Sequence, residues 1–197
     1  MAQKALRRRD QTAGCGLREV LAVSSADFTS PPAIPEVPTD PDTIKATCDS
    51  ILLESFTAQD AWELGHFLYA RLLPFSAQRA TVISISLPNS NQVLFQTAVG
   101  SGLPPDNELW VERKRNTVLR LGSSTWWQQC KYGGNEEAFS KVFRMSPTQA
   151  EKYAIHGGGV PIRVQGVEGI VAVVVVSGLK QQDDHSVIFD VIHRHWE

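Results

Sequence analysis

The stretch Ile170-Val171-Ala172-Val173-Val174-Val175-Val176-Ser177 decides the fold. Its apolar run is dense in β-branched side chains and has the length of a strand, well short of the roughly 20 residues that span a bilayer. A strand apolar on both faces has to be covered on both faces. It is therefore expected at the centre of a sheet held between helical layers. Upstream, His156-Gly157-Gly158-Gly159-Val160-Pro161-Ile162-Arg163 reads as a glycine-rich loop leading into a second strand, Val160 to Gln165. The link Gly166-Val167-Glu168-Gly169 makes the two strands an antiparallel hairpin. Pro161 has no amide proton to give a ladder, so its strand starts there or runs at an edge. Downstream, Asp183 and Asp184 occupy the first turn of a closing helix, Asp183 to Trp196, where the helix dipole favours anions.

Working outward, Thr81 to Leu87 and Gln92 to Val99 alternate apolar and polar residues and form another hairpin through Pro88-Asn89-Ser90-Asn91. Helical periodicity predicts a short helix from Asp42 to Leu53. A stronger one runs from Ala58 to Leu73, capped by Ser55 or Thr57 and ended by Pro74. On it, Ala58, Ala61, Trp62, Gly65, Leu68, Tyr69 and Leu72 share one face. A third helix runs from Glu108 to Leu121 with Asn107 as its cap, and residues 123–155 read as short helical pieces broken by Gly133-Gly134 and Pro147. Two hairpins joined through helices imply a mainly antiparallel sheet in a three-layer α/β/α sandwich, an α+β arrangement. Residues 1–40 carry Pro31, Pro32, Pro35 and Pro38 and few large apolar side chains, so they are expected to form an unstructured tail on a domain spanning 41–197.

Length and composition fit one globular domain: 197 residues, 42% hydrophobic and 20% charged. A net charge of -2 gives no general attraction to nucleic acid or to an anionic membrane. Cys15, Cys48 and Cys130 show no Cys-x-x-Cys pair, which argues against a disulfide framework and against a zinc site. They read as reduced thiols, and the chain as cytoplasmic. Arg7, Arg8 and Arg9 are not followed by the apolar region of a secretory signal, and organelle targeting by the tail is the weaker alternative.

Trp110-Val111-Glu112-Arg113-Lys114-Arg115-Asn116-Thr117-Val118-Leu119-Arg120 is one signature-like stretch. The His156–Arg163 segment, Val175-Val176-Ser177-Gly178-Leu179 and Asp183-Asp184-His185 follow it in order. Together they resemble the uncharacterised bacterial and fungal branch of the haem-degrading domain family, HbpS-like and GlcG-like. The resemblance covers roughly Asp49 to the end. It implies a profilin-like fold with a five-stranded antiparallel sheet and helices on its faces, and a symmetric homo-oligomer. It also brings in haem as a candidate cofactor. The chain lacks the secretion signal of the exported haem-binding relatives, so extracellular haem sensing is not expected.

Lys114 is the sharpest candidate, because it falls within the apolar face formed by Trp110, Val111, Thr117, Val118 and Leu121. A lysine there needs an anionic partner, a shifted pKa or a route to water. The carboxylates of haem or of a small acid are one answer. Snorkelling, or burial at a subunit interface beside a carboxylate, is the other. Arg113, Arg115 and Arg120 spread around the same helix and read as a solvated face with intersubunit salt bridges rather than a nucleic-acid stripe. His156 with Gly157, Gly158 and Gly159 can bring backbone amides to an anion or offer an imidazole to a metal, or simply turn into the edge strand. Arg163 closes that segment. His185, beside Asp183 and Asp184, reads as a base or ligand oriented by a carboxylate, or as part of an acidic cap. His193 and His195 are two apart on a helix and cannot pair on a metal. His195 is expected in the core and His193 outside. Trp126, Trp127 and Tyr132 are expected at a subunit interface rather than stacked on a flat ligand.

No metal site and no nucleophile–base set is assigned. The favoured function is therefore non-catalytic: an oligomer that binds haem or another small anion through Lys114, Arg113, His156, Gly157, Gly158, Arg163 and His185. A protein-interaction scaffold is the second reading, and a haem-modifying enzyme the third.

Overall fold

The computed structural model describes residues 4–26 and 30–197. In chain order its elements are α1 (Cys15–Ser24), α2 (Pro41–Ala46), α3 (Ala58–Leu72), β1 (Thr81–Ser86), β2 (Val93–Val99), α4 (Asn107–Leu121), α5 (Thr125–Lys131), α6 (Glu136–Val142), α7 (Pro147–Ala150), β3 (Gly159–Ile162), β4 (Ala172–Ser177) and α8 (Gln181–His195). The sheet is antiparallel throughout, in the order β2-β1-β4-β3. The valine-rich strand β4 lies inside the sheet, and Pro161 opposite Val173 lies on the edge strand β3.

Alternation along β4 divides the core into two. Val174 and Val176 join Ile83 and Ile85 of β1 in packing against α3 and α8, while Val173 and Val175 meet Val111 and Val118 of α4. Helices therefore cover both faces. The sheet has four strands among the described residues, not the five that the family resemblance implied. Residues 123–155 supply no strand, because they are spent on α5, α6 and α7. Beyond β3 the place of a fifth strand is taken by single bridges, Leu53 to Val164 and Leu6 to Leu53.

Helix α3 starts where the sequence puts it, with a reciprocal capping box between Thr57 and Asp60. Its buried face is centred on Ala61, Leu64, Leu68 and Leu72, so Trp62 is left 44% exposed rather than in the core. Gly65 faces Phe95 of β2, whose ring lies where a Cβ would be, 2.4 Å away.

The N-terminal stretch is not the loose tail expected from its prolines. Residues 1–3 and 27–29 of it lie outside the described residues. Arg8 is buried and ion-paired with Asp60 at 3.2 Å. Glu63, fully buried on α3, accepts the Gly14 amide at 2.6 Å and the Gly16 amide at 2.8 Å, which anchors the start of α1. The proline-rich segment lies extended against the domain. Its carbonyls are taken up by Arg71 (on Pro32 and Ala33), Ser186 (on Pro35), Trp126 (on Pro38) and Trp127 (on Pro41). Prolines stiffen the unfolded chain, so ordering this segment costs less entropy than composition suggests. The two tryptophans thus hold the chain's own backbone. Tyr132 packs edge-on against Phe139.

Candidate functional site

Helix α4 projects Lys114 towards the C-terminal end of β4, where the first turn of α8 arrives from the other face of the sheet. Lys114 is buried, and its ammonium donates to Val176 O at 3.0 Å and to Asp184 Oδ2 at 3.1 Å. The anionic partner demanded by the sequence is therefore within the same chain. Asp184 also accepts the Leu179 amide on Oδ1 at 2.9 Å and the Gly178 amide on Oδ2 at 3.3 Å. Burial pushes its carboxyl above the usual range, opposed by the Lys114 charge and those two amides. One ion pair thus ties together both helical layers and the strand between them.

Above this pair lies a cleft of about 270 Å³, lined by Trp110, Lys114, His156, Gln181 and Asp184, among others. Asn107, at the start of α4, also lines it, and its buried Nδ2 has no partner among the described residues. His156 is part-exposed, with Nδ1 3.3 Å from Glu136 Oε1 and its ring edge-on to Trp110 at 5.0 Å. The His156 contact, with Arg113 nearby, holds the Glu136 carboxyl below the usual range against the effect of burial. Arg113 stacks on Trp110 at 4.7 Å and donates to Tyr153 O at 3.1 Å, so it supports the cleft wall from behind.

The glycines serve packing. A Cβ on Gly158 would lie 2.3 Å from Val176 O and 2.8 Å from Lys114 Nζ, and one on Gly157 would lie 2.3 Å from Gln181 O. The loop thus brings backbone against backbone at the ion pair, and the Gly157 amide donates to Gln181 Oε1 at 3.3 Å. Lys114, His156, Gly157 and Gly158 do converge. His185 and Arg163 do not join them. Arg163 donates to Gly122 O at 2.6 Å, in a different cavity. His185 is fully buried between Trp126 and Phe189, with neither ring nitrogen paired among the described residues. It is a core histidine, not a base. Asp184 is the residue that sequence reasoning passed over as a mere acidic cap. Its position, one turn before Val187 and Ile188 on the buried face of α8, was the available signal.

His185 has a measurable consequence. Burial, helped by the nearby Lys114 charge, pushes its pKa down to about 3. In the unfolded chain it takes a proton from about pH 6.5 downward. The unfolded state then binds more protons over that window, so stability falls as pH falls. Between pH 6.5 and 5 the loss from this group is expected to be about 2 kcal/mol. His195, stacked on Phe67 and pushed down to about 4 by burial, adds in the same direction. Urea titrations at the two pH values, on wild type and on His185→Phe, isolate the first contribution. Equal pH slopes in both proteins would rule it out.

No helix among the described residues is long and apolar enough to cross a membrane. The family model for the haem degrading protein HbpS-like matches residues 56–193. A UPF0303 protein of Streptomyces avermitilis is 35% identical over 85% of this chain and 93% of its own length. The UPF0303 protein YBR137W of Saccharomyces cerevisiae is 36% identical over 68% of this chain and 71% of its own length. The crystal structure of the Ybr137w protein superposes with a TM-score of 0.68 at 31% identity, covering 81% of this chain and 88% of that one. The crystal structure of HbpS gives 0.53 at 17% identity over 71% and 89%, a likeness of fold alone. With the match spanning sheet, α4 and α8 together, the chain belongs to the HbpS-like family of haem degrading proteins.

Proposed function

We propose that this protein binds a small carboxylate in the cleft at the end of β4, as a non-catalytic subunit of a homo-oligomer. The Lys114 ammonium carries the reading. It has three protons to donate, and two are spent on Val176 O and Asp184. The third is left at the floor of the cleft, with the unpartnered Asn107 amide on its wall. The charge of Asp184 is already offset by the ammonium and two backbone amides. What remains is a set of donors beside an apolar wall, Trp110, which suits a carboxylate with a short apolar body.

Haem, the group in the family's description, suits the same geometry less well. A cleft of about 270 Å³ falls below the roughly 300–1,000 Å³ that encloses drug-sized ligands. It fits a propionate but does not enclose a porphyrin, so haem is the less favoured ligand here. The scaffold reading has one observation of its own. Leu17, Trp62, His66 and Phe95 line an apolar groove beside β2, a strand at the sheet edge. An open edge beside apolar side chains is a template for protein contact.

The test is to titrate the full chain with acetate, succinate, citrate and haemin. Melting temperature, absorption and particle mass are followed on the same sample. A saturable rise in melting temperature with at least one small acid is expected, weakened about three- to tenfold by Asn107→Ala. A flat response to every acid would sink the cleft reading. Saturable haemin binding without any acid binding would favour haem instead.

A further inference from the structure

A second cavity, of about 430 Å³, opens between α2 and the turn that joins α4 to α5. Asp49, just after α2, lines it. Its Oδ2 accepts the Ser124 amide at 2.9 Å, whereas Oδ1 is buried with no partner among the described residues. A buried carboxylate oxygen without a donor is a rare and costly state that calls for a missing partner. Two cations line the same cavity. Arg163 spends one guanidinium nitrogen on Gly122 O. Lys45 reaches over the Trp127 ring at 5.9 Å. Neither has a carboxylate within 4.0 Å among the described residues. Trp127 and Ile51 supply apolar wall.

A simple anion would satisfy the cations and leave Asp49 facing a like charge. A simple amine would do the reverse. The complement of this set is one molecule with a carboxylate and an ammonium close together, plus an apolar side chain. We infer that the cavity formed by Lys45, Asp49, Trp127 and Arg163 is a binding site for a free α-amino acid. Its carboxylate meets Arg163 and Lys45, its ammonium donates to Asp49 Oδ1, and its side chain lies against Trp127. Burial holds the Asp49 carboxyl above its usual range, opposed by the Ser124 amide, Arg163 and Lys45. An incoming ammonium would therefore favour the ionised form. The site lies where α2, α5 and the segment after β3 meet, pieces already joined by the Trp127–Pro41, Asp49–Ser124 and Arg163–Gly122 bonds. It shares no lining residue with the Lys114 cleft.

Calorimetry and thermal shift on the full chain test this with the proteinogenic amino acids. Each is compared with the acid lacking its amine and the amine lacking its carboxylate. One or more amino acids with apolar side chains are expected to bind saturably, and both truncated analogues at least about tenfold more weakly. Asp49→Asn keeps an acceptor for Ser124 and should weaken the amino acid about tenfold, while Asn107→Ala leaves it unchanged. Lys45 is exposed, so Lys45→Ala carries the same test should Asp49→Asn not fold. The proposal is overturned if no amino acid binds below about 10 mM, if the deaminated acid binds equally well, or if the folded variants bind like wild type.

Discussion

Replacing Lys114 with methionine is expected to cost about 3–5 kcal/mol of folding stability. That is a large share of the roughly 5–15 kcal/mol a domain of this kind possesses. The loss comes from what the ammonium leaves behind. Asp184, buried at the start of α8, would lose the one cation paired with it among the described residues, and Val176 O would lose a donor. The methionine itself packs acceptably, so little of the cost lies in volume. Urea denaturation at pH 7 measures it. Adding Asp184→Asn should restore much of the loss, because the amide oxygen can still accept the Leu179 amide without leaving a charge buried. The single variant should also gain stability as pH falls. Its Asp184 carboxyl would take a proton in the folded state at a higher pH than in the unfolded chain, and that binding favours the fold. A loss under about 1 kcal/mol would mean that the pair does not hold the two helical layers together.

Gly158→Ala is expected to be as damaging by a different route. The residue has φ +114°, which L side chains rarely adopt, and the strain costs about 1–3 kcal/mol. The added methyl would also meet Val176 O at 2.3 Å, which is backbone and cannot swing away, for another roughly 1–3 kcal/mol. Gly166→Ala separates the two effects. That glycine also has positive φ, at +76°, but nothing lies within 4 Å of its Cβ position. It should pay the conformational cost alone. Equal melting temperatures for the two variants would show that close approach at Gly158 plays no part.

Much of the fold could be read from the chain because its decisive signals are local. Seven apolar residues from Ile170 to Val176 require cover on both sides whatever surrounds them, and Pro161 excludes an interior place for β3. Thr57 and Asp60 carry a capping box within four residues. The misses depend on distant partners. The order of the N-terminal stretch rests on Arg8 with Asp60 and on four side chains that reach proline-segment carbonyls from up to 151 residues away. No window of sequence displays such a contact. The same distinction separates the candidate residues. Lys114 was marked by its place on an apolar helical face. Asp184, its partner 70 residues on, could not be paired with it by spacing. His185 looked reactive beside two acids, yet helical geometry turns it into the core. Asp49 carried no signal at all, since its significance is one oxygen that no described residue reaches.

The two ends of the described chain are paired with each other. The Arg7 amide donates to Glu197 O and the Glu197 amide to Arg7 O on one side of the Arg8–Trp196 bridge, and the Arg9 amide donates to His195 O on the other. The described polypeptide is in effect a closed ring, fastened by a clasp of three residues from each end. Closing so long a loop costs only slightly more entropy than closing one of half its length, but it imposes an order in time. Residues 7–9 meet residues 195–197 only once that far segment is present, whereas Arg8 and the start of α1 already have partners in Asp60 and Glu63. The same proximity means that a short linker from residue 197 to residue 4 should make a circular chain, with new ends cut into the exposed turn at 166–169.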